Sequence, residues 1–93
     1  MIESTVEAYF VNRIKDLGGE TRKLQWIGRN HAPDRMVLGI GRAPALVELK
    51  APGKIPRPGQ VREHERLRNG GFLVFVIDTH DKVDLYFPLR EGA

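Results

Sequence analysis

Apolar residues recur at Val6, Phe10, Ile14 and Leu17 in the first segment, STVEAYFVNRIKDLGG, the three-and-four spacing of a helix with one buried stripe. The spacing predicts an amphipathic helix over about residues 4–17, opened by Ser4 with Glu7 three positions on, as in a capping box, and closed by Gly18 and Gly19. GETRKLQWIG then reads as a short strand or extended segment with Leu24 and Trp26 on one side, and GRNHAP as a loop. DRMVLGI and ALVELKA, joined by the turn residues GRAP, predict a hairpin over residues 34–51. PGKIPRPG is irregular for want of amide donors, and GQVREHERLRNGG is a second helix on which Gln60, His64 and Leu67 share one face. The continuous apolar run FLVFVID predicts a strand buried on both faces. DKVDLYFPL alternates and predicts an edge strand. The resulting order, αβββαββ, places the chain in the α/β or α+β class as a single domain over residues 1–93.

Within ALVELKA the two-residue period sends Val47 and Leu49 to one face and Leu46, Glu48 and Lys50 to the other. Whether Asp34 joins that second face depends on register. A four-residue turn, Gly41 to Pro44, would set Asp34 against Ala51 and separate the two carboxylates. A three-residue loop sets Asp34 opposite Lys50 and Met36 opposite Glu48, which makes Asp34 and Glu48 diagonal neighbours about 7–8 Å apart. Gly41 can supply the positive φ that such a bulged loop requires, so the odd register is expected.

Composition constrains the chemistry. With 93 residues there is little core to spare for charge. No cysteine is present, which removes disulfides and thiolate metal sites. The N-terminus lacks the basic-then-apolar order of a signal peptide and no run reaches membrane-span length, so a soluble protein of the cytoplasm is expected, without a membrane partner. Fifteen Lys and Arg against twelve Asp and Glu give a net charge of +3, an excess that permits a polyanionic partner without demanding one. His31, His64 and His80 occur singly, without zinc-site spacing, and read as surface or packing residues. Trp26 reads as core.

Two carboxylates on one face, with a lysine beside them, suit Mg²⁺ or Mn²⁺ and a phosphate ester. Taken alone, Glu48 and Lys50 also fit a weak same-face ion pair on a solvated strand. Pro33-Asp34 and Glu48-Leu49-Lys50 resemble the PD-(D/E)xK nuclease signature. With the surrounding GRNHAPDRMVL, VELKAPGKIPRPGQ, RLRNGGF and VFVID, nearly the whole chain resembles the VRR-NUC subfamily, above all its small standalone members from phages and bacteria.

The resemblance implies a restriction-endonuclease-like core with a central mixed sheet flanked by helices. It implies Asp34, Glu48 and the Leu49 carbonyl as metal ligands, Lys50 as the catalytic lysine, and Glu7 and Gln60 as supporting residues. From pattern alone Glu7 is a capping residue and Gln60 a first-turn residue able to point inward; the resemblance favours site roles for both. Lys23, Arg29, Arg35, Lys54 and Arg57 are the expected nucleic-acid contacts. The implied activity is a Mg²⁺- or Mn²⁺-dependent endodeoxyribonuclease acting on branched DNA such as Holliday junctions. A homodimer is expected because symmetric cutting of two strands requires two sites, and the strand edges with Tyr86 and Phe87 would offer it a surface. The alternative is a binding module of the same fold that does not cut. Asn30, His31 and Ala32 replace the basic residue and glycine that often precede the Pro-Asp pair in that family, which leaves the loop's phosphate contacts open.

Overall fold

The structure, a computed structural model, describes residues 2–90. Its elements are α1 (Glu3–Asp16), β1 (Glu20–Lys23), β2 (Arg35–Leu38), β3 (Ala45–Leu49), α2 (Pro58–Asn69), β4 (Leu73–Ile77) and α3 (His80–Tyr86). The strands form one sheet in the order β1-β2-β3-β4. β1, β2 and β3 pair antiparallel, and β4 returns parallel to β3 after the α2 crossover, so the sheet is mixed.

Side-chain alternation along β3 splits the core between the two faces. Val47 and Leu49 lie in the larger cluster with Val6, Phe10 and Ile14 of α1, whereas Leu46 lies with Leu67 of α2 and Val74 of β4. The α1 stripe is as its spacing predicts, with Val6, Phe10 and Ile14 fully buried and Gly18 at φ 81° past the helix end. Gly19 then passes so close to the hairpin that an added Cβ would collide with Ile40 and the Leu38 carbonyl, which holds α1 against the sheet. The start of α1 differs from expectation. Ile2 is the N-cap and no side chain caps the helix, so Ser4 and Glu7 form no capping box. Glu7 is thereby left to act elsewhere.

The C-terminal segment is a helix rather than an edge strand, and the element order is αβββαβα. Val83, Leu85 and Phe87 alternate and mimic a strand, yet only Val83 and Phe87 are buried while Leu85 is 69% exposed. The four-residue step from Val83 to Phe87 is the helical one. Thr79 accepts a hydrogen bond from the Lys82 amide at 3.2 Å as N-cap, and Lys82 pairs with Asp78 at 2.8 Å across one turn. Phe87 packs edge-on to Phe10 and Phe75, so it belongs to the core and supplies no aromatic surface.

With no fifth strand among the described residues, β4 is one edge of the sheet and β1 the other. The residues of β4 are unevenly covered: Val74 and Ile77 are buried, Phe75 and Val76 partly so, and Leu73 is 48% exposed, which corrects the expectation of burial on both faces. No helix among the described residues is long and apolar enough to cross a membrane.

Candidate active site

The hairpin pairs Arg35 with Val47, Met36 with Leu46 and Val37 with Ala45. This is two residues away from the expected register, in which Met36 faced Glu48. A shift of two preserves every side-chain face, so Asp34 and Glu48 remain on one side. Continued by one step, the ladder sets Asp34 across from Glu48 rather than Lys50. Both Gly39 and Gly41 adopt positive φ, 82° and 83°, and the loop they shape is longer than the three residues expected. The Asp34 carboxylate is fixed at the strand end by accepting the Leu49 amide at 2.7 Å.

Glu48 is the unusual residue of β3. It is 2% exposed in a strand whose five residues are all buried. Burial first, then the charge of Asp34, pushes its carboxyl up to about 7, against the opposing pull of Lys50. Its Oε2 accepts from Gln60 Nε2 at 3.3 Å and lies 3.6 Å from Lys50 Nζ. Its Oε1 is buried without a hydrogen-bond partner. The nearest cationic candidate, His64 Nε2 at 3.5 Å, is buried and likewise unpartnered, and burial holds the imidazole below its ordinary pKa. A neutral histidine does not offset the carboxylate. His64 is therefore a packing residue, as the sequence suggested, but it forms a wall of the site.

Gln60 reaches both the start of α2 and the Glu48–Lys50 pair. Its Oε1 accepts the Arg57 amide at 2.8 Å, which caps the first turn of α2, and also accepts Lys50 Nζ at 2.9 Å. Only this returning half of a capping box is possible, because an arginine side chain has no acceptor. Pro58 starts the helix at no cost in amides. One residue thus ties the helix start to the lysine and, through Nε2, to Glu48.

Glu7 stands apart. Its Oε2 accepts Arg35 Nε at 2.9 Å, and Arg35 also donates to Thr21 at 2.9 Å. Arg35, expected to contact nucleic acid, is instead held within the protein, linking α1 to β1 and β2. Among the described residues no three His, Cys, Asp or Glu side chains converge as a metal cage, so Glu7 does not join Asp34 and Glu48. Of the remaining expected nucleic-acid contacts, Lys23, Lys54 and Arg57 are exposed, and Arg29 is exposed but bound to Glu63.

Glu63 escaped notice in the sequence. Its carboxylate is buried beneath Trp26 Nε1 and Arg29 Nη2, both at 2.8 Å, and Arg66 Nε at 3.0 Å. Arg66 above all, then Trp26 and Arg29, hold it down to about 2. The available signal was Trp26, whose indole N–H needs an acceptor when covered.

The donor set fits a divalent cation. Two hard carboxylates meet at the sheet end, one of them carries an orphaned buried oxygen, and a lysine stands beside them. A mixed sheet that ends in this Asp34, Glu48 and Lys50 arrangement defines the class as a PD-(D/E)xK-like nuclease core. No family model matches the chain. It is 39% identical over 79 residues, 85% of each chain, to a protein of Acyrthosiphon pisum secondary endosymbiont phage 1 named "Putative nuclease p44". It is 40% identical to a solved structure titled "VRR_NUC domain", with a TM-score of 0.82 over 89% of this chain and 90% of that one. The chain belongs to the VRR-NUC domain family.

Proposed function

We propose that this protein is a metal-dependent endodeoxyribonuclease whose centre is Asp34, Glu48, Lys50 and Gln60. The orphaned Glu48 Oε1 beside Asp34 carries the reading, because a buried carboxylate oxygen without a partner is costly to a domain of this size. Asp34 and Glu48, with the Leu49 carbonyl that the family resemblance adds, would hold Mg²⁺ or Mn²⁺, whose chemistry when bound is to acidify water and neutralise phosphate charge. Lys50, steered by Gln60, orients the attacking water or offsets charge building on the phosphate. Glu7 supports the site indirectly by holding Arg35, the neighbour of Asp34 in the chain.

The substrate we propose is branched DNA such as a Holliday junction, on the strength of the family resemblance, with Lys23, Arg29, Lys54 and Arg57 as phosphate contacts. A homodimer would supply the second site for paired cuts. The β4 edge supports it, since Leu73 at its start and Phe72 just before it are about half exposed, at 48% and 50%. Two measurements test the reading together. Calorimetric titration with Mn²⁺ should show binding that Asp34→Asn abolishes, and a panel of linear, flapped and four-way DNA should be cut in Mg²⁺ or Mn²⁺, four-way DNA fastest. Metal binding without cleavage of any substrate would reduce the protein to a binding module, and metal binding indifferent to Asp34→Asn would displace the centre.

A further inference from the structure

A cleft of about 370 Å³ lies beside the site, between the loop that holds Arg29 and His31 and the outer face of α2. Gly59, Arg62, Glu63 and Arg66 line it at helical one-turn spacing. The stripe is neighbour to that of Gln60 and His64, because consecutive residues are about 100° apart around a helix. A single helix therefore presents Gln60 and His64 to the Glu48 side on one flank and this cleft on the next.

The cleft is built rather than incidental. Glu63 forms its floor, and its carboxylate holds the guanidiniums of Arg29 and Arg66 in fixed directions. His31 closes one wall. It takes a left-handed backbone, φ 72°, and its ring packs directly against Gly59, so a side chain added at Gly59 would have to push the imidazole aside. Arg62 lines the same space and makes no ion pair or hydrogen bond among the described residues. Three guanidiniums against one carboxylate leave the cleft with a surplus of positive charge, and a planar guanidinium matches phosphate oxygens in pairs. Arginines that are already oriented lose little freedom on binding.

We propose that this cleft binds a phosphate group of a DNA strand, at a position other than the bond to be cut, with Arg62 as its free donor and Arg29 and Arg66 as oriented partners. The proposal deepens the nuclease reading by giving the strand a second anchor point. It also gives the strand cations beside a loop that carries Asn30 and His31 next to Pro33: Arg29 from the loop and Arg62 and Arg66 from α2.

Binding is measured without turnover, so the two readings fail separately. Fluorescence anisotropy of a labelled duplex in Ca²⁺ would compare the parental protein with Arg62→Gln and, as control, Lys15→Gln on the exposed side of α1. Arg62→Gln should melt as the parental protein does, bind about three- to tenfold more weakly at 0.1 M salt, and lower the salt slope by about one unit. Lys15→Gln should change none of these. Parental affinity and slope in Arg62→Gln would overturn the proposal, as would an equal loss in Lys15→Gln. Inorganic phosphate provides the other arm. If it shifts the amide signals of Gly59 and Arg62 by NMR while Arg62→Gln leaves DNA affinity untouched, the cleft serves free phosphate and the DNA assignment falls. If DNA binding depends on Arg62 but nothing is ever cut, the cleft stands and only the nuclease reading fails.

Discussion

Replacing Glu63 by Gln keeps the shape of the cleft floor but removes its charge and one of its two acceptor oxygens. The parental carboxylate takes hydrogen bonds from Trp26, Arg29 and Arg66 at 2.8–3.1 Å. A pKa lowered from 4.5 to about 2 corresponds to an upper bound of about 3 kcal/mol favouring the charged form. Because the Arg29 and Arg66 side chains are 54% and 57% exposed, solvent screening reduces this to about 1–2 kcal/mol. For a domain of this size that loss lowers the melting temperature by about 4–16 °C. The pH dependence identifies the cause. A carboxyl with a depressed folded pKa contributes stability above its unfolded pKa and loses it as pH falls through the folded one. The gap between parental protein and Glu63→Gln should therefore be full at pH 6 and shrink by about half or more at pH 3. Urea melts at the two pH values measure it. A gap below about 0.5 kcal/mol at pH 6, or one unchanged at pH 3, would refute the argument that this buried carboxylate ties the Trp26–Arg29 loop to α2.

Glu48→Gln should act in the opposite direction. Its carboxyl is raised to about 7, so its share of stability is present below about 4.5 and lost as pH rises through 7. In metal-free buffer Glu48→Gln should exceed the parental protein by about 1–3 kcal/mol at pH 8 and match it at pH 4.5, by urea melts. Mn²⁺ should raise the parental melting temperature and leave that of Glu48→Gln unmoved, in a thermal shift assay. Gln60→Ala releases both the Arg57 amide and Lys50 Nζ; it should cost about 0.5–2 kcal/mol in denaturant melts and slow single-turnover cleavage by about 10²-fold.

Parts of the site were legible because side-chain parity needs only local pattern. Alternation along ALVELKA placed Glu48 and Lys50 on the face opposite Val47, and any register that differs by two keeps Asp34 with them. The absolute offset was not legible, since it depends on how two left-handed glycines, Gly39 and Gly41, shape the loop. α3 was not legible, because apolar residues at 83, 85, 86 and 87 of so short a segment satisfy both periods, and its N-cap Thr79 lies outside the run. Glu63 was invisible for another reason. In REHER it reads as one charge among many on a solvated helix, and its burial is created by Trp26 and Arg29 from far along the chain.

The central claim is that Lys50 beside the Asp34–Glu48 pair belongs to a hydrolytic centre and is not half of a surface ion pair. Lys50 is 17% exposed and held by Gln60, so its removal leaves the carboxylates and the outer cations in place. Single-turnover cleavage of four-way DNA in Mn²⁺, run beside DNA binding in Ca²⁺, decides the matter for Lys50→Ala. The account predicts that cleavage collapses while DNA affinity falls only slightly, one phosphate contact among many. Cleavage at the parental rate would contradict it and leave Lys50 as an ordinary partner of Glu48.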